Sequence, residues 1–270
     1  MKNLKIPNTK VLAIIGVLLL VVGIGIFVKT RSKDAVVAEA PKLKKTKITE
    51  PLNVIDVSDR PYVVISPNSD GKNITIAVNS VKKDASAVDY ELEYQAGSLL
   101  QGVFGSINLG QLPASTKQLL GSCSAGGACT YHEDVKGGHL TTRFNGKENY
   151  ALKSEWKYAE NKKGDDALSS TDAKFQITSK ELKSVKLAVV FNTPGYPEKI
   201  DGIINSDPYS LQTIPEVSGK ATLTMRAKEE GDLVILGWNG TKWTEFTGKV
   251  DGKSITAEVD LMELYVVVSK

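Results

Sequence analysis

The sequence predicts a mainly β protein, an N-terminal transmembrane helix followed by one or two antiparallel β-sandwich domains. Three observations predict it. An uncharged apolar run occupies residues 11–28, two-residue alternation of apolar and polar side chains dominates the rest, and four Asx-Gly pairs separate the alternating runs. With 270 residues, 41% hydrophobic and 24% charged, the chain supports packed cores and excludes collagen, a low-complexity tract and a multi-spanning membrane protein.

Residues 1–10 form a short basic segment with Lys2, Lys5 and Lys10. Residues 11–28 read VLAIIGVLLLVVGIGIFV, bounded by Lys10 and Lys29. At 1.5 Å per residue, roughly 18 residues reach about 27 Å, close to the hydrocarbon thickness of a bilayer. A lipid bilayer is therefore the expected partner of this segment. A cleaved signal peptide fits less well, because the run ends in Lys29-Thr30-Arg31 rather than a small-x-small site. Residues 29–50 are rich in Lys, Ala and Thr and read as a solvated basic stalk.

The net charge of +3 is too weak for a nucleic-acid domain, so no nucleic acid is expected as a partner. Positive charge near the span counts Lys2, Lys5 and Lys10 on one side against Lys29, Arg31, Lys33 and the Lys42, Lys44, Lys45, Lys47 cluster on the other. Taken alone, that count leaves the large part in the cytoplasm. A basic start leading into an N-terminal apolar run is nevertheless the form of an export signal, and long following domains translocate largely regardless of charge. The expectation is a single-pass cell-membrane protein with its bulk extracytoplasmic.

Past the stalk, Ile74, Ile76 and Val78 alternate with Thr75, Ala77 and Asn79, and Val88, Tyr90, Leu92 and Tyr94 alternate with Asp89, Glu91, Glu93 and Gln95. This is the period of a strand with one wet face. Asp70-Gly71, Asn145-Gly146, Asn239-Gly240 and Asp251-Gly252 predict hairpins with type I′ turns, which place both central residues at positive φ. Short helices are allowed only at Gln111 to Leu120 and Ser179 to Leu182. The polar stretch 159–172 (AENKKGDDALSSTD) is read as a linker between a first sandwich at 51–158 and a second at 173–270, with an insertion in one larger sandwich as the alternative.

The run PYVVISPNSDGKNITIAVNSV followed by VDYELEY resembles the opening strands of fibronectin-III or immunoglobulin-like modules. The closing run, KATLTMR, LVILGWNGTKWTEFTGKVDGKSITAEV and LYVVV, resembles the final strands of β-sandwich modules of bacterial membrane-anchored surface proteins. The resemblance implies an Ig-like fold and an exterior location, and it transfers no catalytic residue.

Cys123 and Cys129 are the two cysteines, in GSCSAGGAC. Their spacing lets the chain fold back to disulfide distance, and a disulfide is the first reading. Free thiols compete with it, as does a zinc site adding His132 and His139, although C-x5-C-x2-H-x6-H matches no common structural zinc pattern. Ser124, His132 and Asp134 invite comparison with a serine hydrolase, but GSCSAG lacks the G-x-S-x-G elbow spacing. Asn68, Asp70 and Asn73 offer oxygens to calcium or, more simply, form a turn. Trp238 and Trp243 read as a cross-strand pair rather than a stacking platform.

No enzymatic activity, cofactor or metal is expected. The expected role is non-catalytic binding or structural support in the cell envelope, with envelope proteins or polymers as partners. The loop around Ser124, Tyr131 and His132 is the candidate binding site, because a stapled irregular loop on a rigid scaffold is where binding residues tend to sit. The alternatives are an envelope hydrolase and a pilin-like filament subunit.

Overall fold

The computed structural model describes residues 48–270, which fall within one compact unit. The basic segment 1–10, the apolar run 11–28 and nearly all of the stalk lie outside the described residues. No helix among the described residues is long and apolar enough to cross a membrane.

The strands are, in chain order, β1 (Tyr62–Pro67), β2 (Asn73–Ser80), β3 (Ala87–Ala96), β4 (Leu99–Asn108), β5 (Ala114–Leu119), β6 (Gly121–Cys123), β7 (Cys129–Tyr131), β8 (Val135–Asn145), β9 (Tyr150–Glu160) and β10 (Ala167–Ser169). They continue with β11 (Phe175–Thr178), β12 (Leu187–Asn192), β13 (Ile203–Ile204), β14 (Tyr209–Ile214), β15 (Lys220–Arg226), β16 (Leu233–Trp238), β17 (Trp243–Phe246), β18 (Lys249–Asp251), β19 (Ser254–Asp260) and β20 (Leu264–Ser269). A 3-10 turn at Lys180–Ser184 falls where a short helix was allowed, and the Ser179 hydroxyl caps it by accepting from the Glu181 N–H. The other allowed helix, Gln111 to Leu120, is corrected: it contains β5, whose residues pair with β2.

Three layers follow from how these strands bury their faces. A ten-stranded antiparallel sheet runs β17-β16-β20-β14-β12-β9-β8-β3-β4, with β13 beside β20. A three-stranded sheet, β1-β2-β5, and a five-stranded sheet, β10-β11-β15-β19-β18, pack against it. Strand β12 shows which face each one takes. Val189 and Phe191 enter the core shared with β1, β2 and β3, whereas Ala188 and Val190 enter the core shared with β11, β15 and β19. Successive side chains of a strand point to opposite faces, so the two cores lie on opposite sides of the large sheet. At roughly 1.5–3 kcal/mol for each fully buried large apolar side chain, this strand is a principal link between them.

A third cluster lies on the outer face of β1. Tyr62 and Val64 pack with Val234, Leu236, Leu264 and Val266 of β16 and β20, while Val63 and Ile65 face the first core. Residues 159–172 hold the end of β9 and the short strand β10. The strands on either side of that segment pair directly, Trp156 of β9 opposite Phe191 of β12 and Tyr158 opposite Val189, so one sheet passes through both halves of the chain.

All four Asx-Gly pairs stand at hairpins, but the type I′ expectation is corrected. Gly71, Gly240 and Gly252 have positive φ, while Asp70, Asn145, Asn239 and Asp251 do not. The side chain supplies the turn instead. Asp70 Oδ1 accepts from the N–H groups of Lys72 and Asn73, and Asn239 Oδ1 from those of Thr241 and Lys242. A side-chain acceptor two or three residues back replaces the second left-handed residue.

Candidate functional site

The hairpin formed by β6 and β7 stands out from the three-stranded layer. Its strands pair Gly121 with Tyr131, Ser122 with Thr130 and Cys123 with Cys129. Cys123 and Cys129 form a disulfide, their Cα atoms 4.0 Å apart. Both thiols are thereby consumed, which removes the free-thiol and zinc readings that depended on them. His139, the other residue of the zinc reading, sits on β8 opposite Glu155, with Nε2 3.5 Å from its carboxylate.

Beyond the disulfide the tip is a tight turn. The Ser124 N–H donates to the Ala128 carbonyl at 2.8 Å and the Gly127 N–H to the Ser124 carbonyl at 2.9 Å, with Gly127 at φ 83°. At the base, Gly121 lets the two strands close. A Cβ there would lie 2.4 Å from the Thr130 carbonyl oxygen, so no larger residue fits without moving the backbone.

Two contacts fix the base to the body. Leu120, fully buried in the first core, donates its N–H to the Lys72 carbonyl at 2.8 Å and accepts from the His132 N–H at 2.9 Å. The His132 ring places Nδ1 3.0 Å from the Tyr94 hydroxyl, and Tyr94 packs edge-on to Trp156. Burial raises the Tyr94 phenol above its ordinary value, partly offset by the Gly121 N–H. The phenol therefore keeps its proton, and its contact with the ring ties the base of the hairpin to β3. His132 is an anchor of the hairpin rather than a displayed group.

Tyr131 is displayed. It is 42% exposed, and Lys72, from the β1–β2 turn, holds its ammonium 4.1 Å from the ring centroid. That turn is itself stiff. The Asp70 carboxylate accepts from Lys72, Asn73 and Lys117, and the Asn68 side chain accepts from the Thr75 hydroxyl. Burial raises the Asp70 carboxyl, but the bonds from Lys72, Asn73 and Lys117 outweigh it and hold it below the usual range. The oxygens weighed for calcium thus close the turn.

Among the expected site residues, the structure brings Tyr131 close to Lys72 and holds His132 against Tyr94, and it keeps Ser124 apart from both. Ser124 lies on the tip side of the disulfide and His132 beyond the base. Four residues of strand at about 3.3 Å each separate them by roughly 13 Å, too far for a nucleophile and its base. Asp134, at φ 51°, donates no catalytic geometry to His132 and instead accepts the Gly97 N–H through its carbonyl.

Sequence reasoning missed Lys72 and a groove at the end of this loop. Gly97, Asp134, Val135, Lys136, Glu160 and Lys162 line about 440 Å³ of concave space, a size that holds a small ligand or a side chain. The cleft between Glu216 and Glu263 is smaller, about 210 Å³. Burial and the Glu216 charge raise the Glu263 carboxyl there. Trp238 and Trp243 pair across β16 and β17 with ring centroids 5.3 Å apart, and Trp238 is buried.

Together these features define a mainly β, antiparallel layered protein that displays a disulfide-closed hairpin and a mixed-charge groove. No family model, no curated protein and no solved structure matches the chain.

Proposed function

We propose that this is a membrane-anchored, extracytoplasmic β-sandwich protein with a non-catalytic binding or structural role in the cell envelope. The observation that carries the reading is the disulfide at Cys123 and Cys129, which staples a solvent-exposed hairpin. An exposed thiol pair of this kind stays reduced in a cytosol and oxidised outside it. The uncharged run at 11–28 supplies the anchor in this reading, and the lysines that follow it suit attraction to anionic headgroups.

Binding is assigned to the surface built by Tyr131, Lys72 and the groove lined by Asp134, Lys136, Glu160 and Lys162. An aromatic face beside ammonium and carboxylate groups suits a polar, zwitterionic stretch of an envelope protein or polymer. The test uses intact cells carrying the full chain with a C-terminal tag. The tagged chain is expected in the membrane fraction after alkaline extraction, and added protease is expected to remove the tag. Protection of the tag in intact cells, or recovery of the chain in the soluble fraction, overturns the reading.

A further inference from the structure

Strand β4 is the outermost strand of the ten-stranded sheet. It pairs with β3 on one side and, among the described residues, with no strand on the other. Its sequence, LLQGVFGSIN, contains neither a charged side chain nor a proline, the devices that ordinarily blunt an edge. Four other outer strands are protected. Strands β10 and β18 run three residues each, β17 runs four and carries Glu245 paired with Lys270, and β5 carries Lys117. On β4, by contrast, Leu99, Leu100 and Phe104 are 63%, 68% and 39% exposed.

The hairpin geometry identifies which backbone groups are open. Strands β3 and β4 are joined by the two-residue loop Gly97-Ser98, closed by Ala96 opposite Leu99. The closing pair of such a loop is hydrogen-bonded, and bonded and non-bonded pairs alternate along an antiparallel ladder. Leu100, Gly102, Phe104 and Ser106 consequently turn their N–H and C=O groups outward. The same four share the outer face of the sheet with Gln95, Glu93, Glu91 and Asp89 opposite them on β3.

We propose that β4 pairs antiparallel with β4 of a second copy of this chain, about a two-fold axis through Gly102, so that two ten-stranded sheets become one. This register sets Leu100 of each copy opposite Phe104 of the other and brings every outward backbone group from Leu100 to Phe104 into a bond. A Cβ on Gly102 would meet nothing within 4 Å, so the axis has room for the flanking Leu and Phe side chains to close over it. Apolar cross-strand pairs of this kind are the unit of sheet stabilisation. Charge does not oppose the arrangement. The seam itself is neutral, and the acidic rows of the two β3 strands stand three strand spacings apart, about 14 Å, against a screening length of about 8 Å. A single seam buries less than the roughly 800 Å² per partner of a standard-size interface, so a weak, reversible dimer is expected.

The test is analytical ultracentrifugation of the full chain in mild detergent, beside thermal melts of each variant. Wild type is expected to pass from monomer to dimer with concentration. Phe104→Lys, at an exposed position, is expected to weaken the dimer by at least about tenfold with an unchanged melting temperature. The double variant Leu100→Lys, Phe104→Glu puts a lysine opposite a glutamate twice across the axis and is expected to restore the dimer. Wild type that stays monomeric to about 100 μM overturns the proposal, as it does if the edge serves a strand from a different protein. Dimerisation of Phe104→Lys equal to wild type also overturns it, and failure of the double variant to recover overturns the register on which it stands.

Discussion

Replacing Phe191 by alanine empties a fully buried site in the first core, on the strand whose neighbouring residues Ala188 and Val190 belong to the second core. Removing a buried phenylalanine costs about 3–5 kcal/mol. Unfolding entropy of about 2.1 cal/mol/K per residue over roughly 220 residues is about 0.5 kcal/mol/K, so the melting temperature falls by about 8 °C if the whole unit unfolds together. The native tryptophans report the two ends separately. Trp156 lies in the first core, while Trp238 and Trp243 lie in and against the third cluster. Phe191→Ala is therefore made in a Trp156→Phe background and in a Trp238→Phe, Trp243→Phe background, and both are melted by tryptophan fluorescence. Because β9 and β12 pair across the two halves, each reporter is expected to show a single transition that Phe191→Ala moves downward, by different amounts in the two backgrounds because Trp156 stands opposite Phe191. Two transitions, with the Trp238 and Trp243 signal unmoved by Phe191→Ala, refute the argument that one sheet couples the cores.

Thr193→Val loses the buried hydroxyl's bond to the Val63 carbonyl at 2.7 Å, and urea titration is expected to read a loss of about 1–3 kcal/mol. The double variant Cys123→Ser, Cys129→Ser is expected to cost less than about 2 kcal/mol, since closing a ring of about seven residues is worth little more and the exposed tip can fray, and proteolysis should cut first within 121–131. Burial raises the Asp172 carboxyl, but bonds from Ser170, Tyr209 and Lys174 outweigh it and hold it low. A depressed folded value stabilises above the unfolded value of about 3.9 and loses that stabilisation as pH falls through the folded one. Between pH 6 and pH 3, wild type should therefore lose more stability by urea midpoint than Asp172→Asn. Gly137→Ala sets a Cβ 2.2 Å from the Trp156 carbonyl oxygen at φ 94°, and a drop of several degrees in melting temperature is expected.

Strands with one wet face were legible because their alternation survives in the sequence. Residues 74–78 and 88–94 became β2 and β3, and each Asx-Gly pair became a hairpin. The β3–β4 hairpin was missed although Gly97-Ser98 between two strand-like runs is a turn signal. The strands that join the layers were harder to read, because LAVVF in β12, LVILGW in β16 and LYVVV in β20 are buried on both faces and show no alternation. Residues 159–172 look like a linker in composition because an edge strand and an exposed turn are as polar as one. Within the candidate site, the disulfide was legible from spacing. The Lys72–Tyr131 and Tyr94–His132 contacts were not, since they join residues brought together only by the pairing of β2 with β5 and by the core under the hairpin.

The position of β20 bears on how the large sheet closes. Strand β20 lies inside the large sheet, between β14 and β16, with β13 also paired to it, and every residue from Leu264 to Val268 is buried. Until residues 264–268 are in place, β14 and β16 face each other across an empty slot and the core behind them stays open to water. A chain lacking residues 264–268 therefore exposes two apolar strand edges to any chaperone that meets it.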